Sequence, residues 1–255
     1  MTLTAADIQK KLESISNPEK AEHHQKYFKT GPGEYGEGDI FIGVAVPEMR
    51  KISKKTYPEI SMKEIERLLS SPIHEHRQTA LFILVEKYAA TSRKKQKENI
   101  QNNPSERETI AQFYLKHLKY INNWDLVDSS ASYILGAWLL ESDRETLGKK
   151  TLYELSRSNN LWEQRVSVMT THAYIKAGIY QPTLNLCEYF LPSKHDLMHK
   201  CTGWMLREIG KNDKTVLLDF LDKRAEMMPR TMLRYSIEKL EPAEKENYMK
   251  KGKKY

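Results

Sequence analysis

Apolar residues recur along most of the 255-residue chain at intervals of three or four positions, and sustained alternation of apolar and polar residues is nearly absent. This periodicity is typical of amphipathic α-helices rather than strands. It predicts helices over residues 4–16, 18–28, 47–56, 61–70, 74–90, 93–101, 106–120, 125–141, 143–157, 161–177, 180–190, 195–210, 213–225 and 229–240. The sequence therefore predicts an all-α protein.

Three segments depart from this pattern. Residues 30–39, TGPGEYGEGD, contain four glycines and predict a loop. Residues 40–46 are rich in Ile and Val, and we interpret them as an extended lead into a helix with Pro47 in its first turn, with a strand as the alternative. Residues 1–242 are predicted to form a single domain. Residues 243–255 are predicted to be a basic, flexible tail, with a dedicated DNA-binding arm as the alternative.

A four-residue pattern recurs five times along the chain: a polar or charged residue, any residue, Ser or Thr, and then a small or aliphatic residue. It begins at Arg77, Asp128, Arg165, Lys200 and Arg234, and the last three intervals lie in the mid-thirties. Such intervals are typical of helix-pair repeats of the HEAT and armadillo kind. We therefore predict a right-handed α-solenoid of HEAT-like helix pairs.

The first residue of the pattern has a chemical consequence if each repeat presents it on one concave surface. Arg77, Arg165, Lys200 and Arg234 would then form a stripe of cations that follows the phosphates of a nucleic-acid backbone. Asp128 stands alone among them, and its negative charge opposes phosphate binding. It is therefore the strongest candidate for chemistry in the chain.

Charge and cysteine content narrow the functional class. Lys and Arg number 41 against 34 Asp and Glu, and the net charge of +7 favours a polyanionic partner, either nucleic acid or an anionic membrane surface. No apolar run is long enough to span a membrane, and the first 15 residues lack the apolar core of a secretory signal. Cys187 and Cys201 are too few for a disulfide scaffold or a Cys-rich zinc site. We expect a reduced, cytoplasmic protein.

Two tryptophans lie near these candidate positions. Trp124 precedes Asp128 by four residues, so both lie on one helical face. A core role is the alternative for Trp124. Asp125 either pairs with Asp128 or, as we favour, stabilises the helix N-terminus. Trp204 follows Lys200 by four residues and shares its face.

Three runs occur in order and at repeat spacing: NNWDLVDSSA (122–131), NNLWEQRVSV (159–168) and GWMLREIGK (203–211). They resemble those of the AlkD-type DNA alkylation repair glycosylases, and the likeness extends over NPEKAE (17–22) and GVAVPEMR (43–50). The resemblance implies a HEAT-like solenoid whose concave basic face holds duplex DNA. It also implies hydrolysis of the N-glycosidic bond of N7-alkylguanine and N3-alkyladenine, in base excision repair.

The resemblance further implies roles for individual residues. Asp128 matches the catalytic carboxylate, and Trp124 and Trp204 match the tryptophans at the lesion sugar. Arg165 matches an arginine that contacts the DNA backbone, and Arg207 matches a basic residue of the last motif. Members of this family are thought not to bury the flipped base in a pocket, unlike most glycosylases.

The implied chemistry suits these residues. An alkylated purine that already carries a positive charge needs no general acid to leave. The enzyme must stabilise an oxocarbenium-like sugar and place a water, and one carboxylate can serve both needs. The eight histidines include His23-His24 and His74-x-His76 but no HExxH motif, so we interpret them as surface polar residues and predict neither metal nor cofactor. We expect a monomer bound to duplex DNA that contains alkylated bases.

Two departures from the family pattern and one alternative function stay open. Ala45 stands where many relatives carry a polar or basic residue, so one DNA contact is expected to be missing. The glycine-rich insert 30–39 resembles only some members.

The alternative to the enzyme hypothesis is a non-catalytic helical-repeat module that binds nucleic acid or an acidic protein. Only the enzyme hypothesis accounts for Asp128 among cations with Trp124 one turn before it.

Overall fold

The structure, a computed structural model, describes residues 3–98, 104–141 and 145–251. Helices α1 to α16 span Ala5–Glu13, Pro18–Tyr27, Val46–Thr56, Met62–Leu69, His74–Glu98, Pro104–Lys116, Trp124–Asp128, Ala137–Leu139, Glu145–Ser156, Leu161–Thr170, His172–Lys176, Gln181–Tyr189, Asp196–Asn212, Lys214–Arg224, Arg230–Ser236 and Pro242–Lys251. A 3-10 turn covers Leu118–Tyr120 and a π-helical turn covers Ser132–Gly136. These residues form no strand apart from an isolated bridge between Ile40 and Ile73, which confirms the all-α prediction.

The first of two compact units, Met1–Ile134, is organised around the long helix α5. Helices α1, α3, α4, α6 and α7 pack against it. Ile8 and Leu12 of α1 and Ile65 of α4 are fully buried, as the three-to-four spacing requires. The Thr4 side chain forms a capping box with Asp7 at the start of α1.

The second unit, Leu135–Tyr255, is organised around α13 in the same way. Helices α10, α11, α12, α14 and α15 pack against it. Gly203 lies where α13 meets α15: a Cβ there would stand 2.4 Å from the Met232 carbonyl oxygen and 2.6 Å from the Tyr235 Cβ. The helix-pair packing within each unit confirms an α-solenoid architecture.

The Ser or Thr of the recurring pattern is buried in every repeat. Thr79, Ser130, Ser167, Thr202 and Ser236 are each 0% or 1% exposed. The last four donate a hydrogen bond to a backbone carbonyl three or four residues earlier in the chain. The pattern therefore marks positions where helices pack closely, and in the last four repeats the small hydroxyl residue satisfies its own polar group by bonding to the helix backbone.

Gly203→Ala is expected to destabilise the protein by about 1–3 kcal/mol, because the new methyl group meets backbone that cannot rotate away. Urea unfolding measures the change. Gly210→Ala on the same helix is the matched control, since its methyl group meets the end of the flexible Leu217 side chain. Equal losses of stability in the two variants would contradict the assigned close approach of α13 and α15.

The prediction of one continuous helix over 125–141 is wrong. The chain forms α7, turns at Ser129–Ala131, passes through the π-helical turn and continues as α8. The Ser130 hydroxyl donates to the Leu126 carbonyl oxygen at 2.5 Å and so competes with the helical ladder. Gly136 packs on the Thr170 backbone, where a Cβ would lie 2.4 Å from the carbonyl oxygen. Single π-helical turns are frequent at functional sites.

The other predicted helices differ less from those in the structure. The predicted helices 74–90 and 93–101 form the single helix α5 as far as Glu98, and residues 99–101 lie outside the described residues. The predicted helix 161–177 divides into α10 and α11 at Thr171, whose hydroxyl donates to the Val168 carbonyl oxygen. The loop over 30–39 and the extended segment that follows it form as predicted.

The C-terminal segment is helical where the sequence indicated a flexible tail. Tyr248 of α16 is buried, and its hydroxyl donates to an Asp222 carboxylate oxygen at 2.9 Å. Lys251 pairs with the same carboxylate at 3.2 Å. A single buried aromatic residue with a polar partner thus anchors α16, and residues 252–255 lie outside the described residues. None of the helices in the described ranges is long and apolar enough to cross a membrane.

Candidate DNA repair site

Helix α7 positions the two central candidates, since Trp124 is its first residue and Asp128 its last. The Asn123 side chain caps the helix: its Oδ1 accepts the Trp124 backbone N–H at 2.8 Å. Trp124 and Asp128 are one turn apart, and both side chains are half-buried. The helix thus presents an indole and a carboxylate on one face, both within reach of solvent.

An aromatic cluster supports one side of Trp124. Its ring stacks on Phe28, with centroids 5.3 Å apart and an interplanar angle of 16°, and it meets Tyr27 edge-on at 6.1 Å. Phe28 in turn stacks on Phe41, and Phe41 stacks on His74 at 4.4 Å. Trp124 therefore combines the core role and the exposed role that the sequence offered as alternatives.

A buried network of charged side chains lies beside this cluster. His74 Nδ1 lies 3.0 Å from Asp39 Oδ2, and His74 Nε2 lies 2.8 Å from Asp125 Oδ2. Asp39 also accepts the Asn123 side-chain amide at 3.0 Å and forms a salt bridge with Arg77. The network connects α5, the loop before residue 40 and the start of α7.

The network changes the pKa values of Asp39 and His74. Burial alone would raise the pKa of Asp39, but the hydrogen bond from His74 and the charge of Arg77 lower it overall. Burial alone would lower the pKa of His74, but the charges and hydrogen bonds of Asp125 and Asp39 raise it to about 9. His74 is thus a buried cation at neutral pH, between two carboxylates.

Asp125 is occupied by this network. Its Oδ2 faces His74, and its Oδ1 accepts the Leu126 backbone N–H at 2.8 Å. Asp125 therefore serves the N-terminal turn of α7, as we favoured from the sequence, and it is held by a buried histidine that the sequence did not reveal.

Neutral polar groups surround the segment that follows Asp128. The Ser129 hydroxyl accepts the Gln78 amide at 2.7 Å, and the Ser130 and Tyr114 hydroxyls lie 2.9 Å apart. Burial raises the pKa of Tyr114 far above its ordinary value; the hydrogen bond with Ser130 opposes this shift and the charge of Asp128 adds to it. Tyr114 therefore remains a protonated phenol close to Asp128.

The buried carboxylate of Glu75 fixes the backbone where the GVAVPEMR motif (43–50) begins. Glu75 accepts backbone N–H groups of Ile42, Gly43 and Val44, the shortest at 2.8 Å from Gly43. Gly43 has φ +77°, and a Cβ there would lie 2.1 Å from the Asn17 carbonyl oxygen. The glycine of this motif is required by close packing against the start of α2.

Sequence reasoning missed several of these residues. His74 and His76 were interpreted as surface polar residues, yet they are 1% and 2% exposed and belong to the core of the first unit. Asp39 closes the glycine-rich segment and Glu75 follows His74 directly. The signal available was the cluster of four polar residues, His74 to Arg77, which stands shortly before the apolar run 80–85 of the same predicted helix.

In the second unit, Trp204 lies on α13 and is half-buried. Its indole Nε1 donates to Glu208 Oε1 at 2.9 Å, and its ring lies 6.2 Å from that of His172. Glu208 also accepts a bond from Lys211 at 2.7 Å. A carboxylate one turn away thus fixes the orientation of this indole.

Two of the predicted DNA-binding cations lie inside their units. Arg77 is 4% exposed and binds Asp39 as well as the Ser71 and Pro72 carbonyl oxygens, each at 3.1 Å. Arg165 is also 4% exposed and donates to the Leu197 carbonyl oxygen at 2.6 Å. The structure corrects their placement, because a guanidinium in these settings serves helix packing and is not presented to solvent.

The other three cations reach the surface to different degrees. Lys200 is half-buried and pairs with Asp196 at 2.6 Å. Arg207 is 17% exposed and forms a salt bridge with Glu238, whereas Arg234 is exposed. Within the described parts of the chain, no group of three or more His, Cys, Asp or Glu residues is arranged to hold a metal ion.

The fold and the site place the chain among all-helical proteins of the α-solenoid class, with a carboxylate and a tryptophan on one short helix. The sequence profile of a family described as DNA alkylation repair enzyme matches residues 8–240. The chain therefore belongs to the DNA alkylation repair enzyme family.

A solved structure described as a predicted DNA alkylation repair enzyme from Enterococcus faecalis is similar, with a TM-score of 0.66 and 17% sequence identity. The match covers 89% of this chain and 97% of the other. At this identity the likeness shows the fold alone. Among functionally curated proteins, no sequence is significantly similar to this chain.

Proposed function

We propose that the protein is a DNA N-glycosylase that hydrolyses the glycosidic bond of cationic alkylated purines, N7-alkylguanine and N3-alkyladenine, in duplex DNA. Membership of a DNA alkylation repair family supports the DNA substrate. The observation that carries the proposal is the placement of Asp128 one turn after the half-buried Trp124 on α7, a helix whose start is tied to a buried ion network.

Asp128 is proposed as the catalytic carboxylate. The bond between C1′ and the base nitrogen breaks, and its electron pair neutralises the cationic base, so no proton is delivered to the leaving group. The positive charge that develops on the sugar is stabilised by the Asp128 carboxylate. Water adds to C1′, and Asp128 orients that water and accepts its proton.

The two tryptophans are proposed as aromatic contacts with the lesion sugar. A π-face against a developing cation contributes about 0.5–2 kcal/mol. Trp124 stacks on Phe28 and is half-buried, so the residue remains partly accessible for this contact. Trp204 is assigned the same role through the family resemblance, and its hydrogen bond to Glu208 fixes the orientation of its indole.

Surface cations of the second unit are proposed to bind the DNA backbone. Arg234, Lys200 and Arg207 carry this part of the proposal because each is exposed or partly exposed. For Arg77 and Arg165 we propose a structural role, since both are buried. We propose that one copy of the chain acts on the duplex without a cofactor.

The test compares cationic with neutral lesions. We expect release of 7-methylguanine and 3-methyladenine from methylated duplex DNA, and no release of hypoxanthine from a matched duplex that contains deoxyinosine. The reason is that a neutral purine must be protonated by a general acid as it leaves, and the proposed mechanism assigns that role to no residue. Chromatography of the released bases measures both reactions, and incubation without protein gives the spontaneous rate.

Two results would contradict the proposal. Equal release of hypoxanthine would show that an acid acts on the leaving base. Binding of the methylated duplex with release at the spontaneous rate would favour the alternative, a non-catalytic helical-repeat module that binds nucleic acid or an acidic protein.

A further inference from the structure

The two residues on either side of Trp124 in the chain are tied to one buried pair. Asp125 binds His74 at 2.8 Å. The Asn123 side-chain amide N–H donates to Asp39 at 3.0 Å, while its Oδ1 accepts the Trp124 backbone N–H and so caps α7. His74 and Asp39 bind each other at 3.0 Å. The first turn of α7, and with it the base of the Trp124 side chain, is therefore fixed to helix α5.

The bonds of His74 define its charge. Both ring nitrogens face carboxylate oxygens, and ionised carboxylates accept hydrogen bonds without donating them. A neutral imidazole carries one N–H and can satisfy one of these partners. The imidazolium carries two and satisfies both. Phe41 stacks on the ring at 4.4 Å and Phe28 approaches at 5.3 Å, so the ring is also held against rotation.

We propose that His74 is a positioning residue for base release: as an imidazolium it bridges Asp39 and Asp125, and through the first turn of α7 it sets the directions of Trp124 and Asp128. This inference rests on the proposed glycosylase function. His74 acts through the helix and does not touch the substrate.

If His74 must be an imidazolium, base release should be lost at alkaline pH. Burial alone would lower the pKa of His74, but Asp125 and Asp39 raise it from 6.5 to about 9. Because the folded-state pKa is raised, His74 stays protonated and the bridge stays complete at neutral pH, and the bridge is lost as the pH rises through about 9. The charged and titratable groups around His74 are Asp39 from the loop, Asp125 from α7, Arg77 and Glu75 from its own helix, and His24 of α2, which lies 3.8 Å from Glu75.

The experiment measures single-turnover release of 7-methylguanine across neutral and alkaline pH, together with DNA affinity. Wild-type protein should lose activity near pH 9. Asp125→Asn removes one carboxylate charge, so the loss should move to lower pH. His74→Gln can replace one of the two bonds, so its rate at neutral pH should fall about 10- to 100-fold with little change in DNA affinity.

His76→Gln is the matched control. This second buried histidine of α5 binds the Ser71 hydroxyl at 2.9 Å and has no bond to α7 among the described contacts, so its rate and its pH profile should equal those of wild type. An alkaline limit that does not move in Asp125→Asn, or a wild-type rate in His74→Gln, would overturn the inference.

A second readout separates this inference from the proposed function. Nitrogen NMR shifts of the His74 ring report whether it is a cation at neutral pH, and the Trp124 indole N–H shift reports the setting of α7. Absence of base release in wild type would overturn the glycosylase proposal, and the positioning role for release would be withdrawn with it. An unchanged Trp124 shift in His74→Gln would instead overturn the anchoring itself, whatever the activity.

Discussion

Asp128→Asn is expected to lower the rate of 7-methylguanine release by about 10²–10³-fold, the usual cost of removing one pre-arranged electrostatic contact from a transition state. The amide keeps the size of the side chain but carries no charge to stabilise the sugar cation. DNA affinity should be retained or increased, because a negative charge near the phosphates is removed. Single-turnover release and fluorescence anisotropy measure the two quantities on the same duplex.

The matched control is Asp219→Asn, which neutralises an exposed carboxylate paired with Lys223 on α14. It changes the net charge by the same amount at a position outside the proposed site, so its rate should equal that of wild type. A wild-type rate in Asp128→Asn would remove Asp128 from the mechanism. A parallel loss in Asp219→Asn would show that net charge, and not a local carboxylate, limits release.

Asp39→Ala is expected to cost about 3–5 kcal/mol of folding free energy. Asp39 is 4% exposed and is bound by both Arg77 and His74, so its removal leaves two buried cations without this counter-charge. Urea unfolding followed by circular dichroism measures the loss. Glu22→Ala, which removes an exposed carboxylate paired with Lys26, should change stability far less.

The pH dependence of stability provides a second measurement on the same network. The pKa of Asp39 is lowered in the folded protein, so its contribution is present at neutral pH and is lost as acid protonates it. The pKa of His74 is raised, so its contribution is lost on the alkaline side, through about 9. Wild-type stability should fall on both sides, and a flat profile would contradict the ionic state of the network.

The helical periodicity was sufficient to predict the architecture, because each amphipathic helix buries one face and the apolar spacing records that face directly. The same periodicity wrongly predicted a continuous helix over 125–141, and the prediction failed after Asp128. There the Ser130 hydroxyl binds a backbone carbonyl and Gly136 packs on Thr170, and neither contact alters the apolar spacing that predicted a continuous helix.

The candidate site was predictable only in part. Trp124 and Asp128 are neighbours on one turn, so their spacing alone places them together. Asp39, His74 and Asp125 lie far apart in the chain and meet only through folding, so no local pattern connects them. The regular placement of Arg77 and Arg165 suggested a DNA-binding stripe, yet both are buried, and the regularity there reflects packing.

The buried network of His74, Asp39 and Asp125 and the cations on the surface are expected to respond differently to ionic strength. Mobile ions screen exposed charges strongly and buried pairs much less. Added salt therefore weakens attraction of the DNA backbone to Arg234 and its neighbours, while the bonds among His74, Asp39 and Asp125 persist. Under the proposed function, inhibition by salt appears in the DNA concentration needed for half-saturation, and the turnover of bound lesions is preserved.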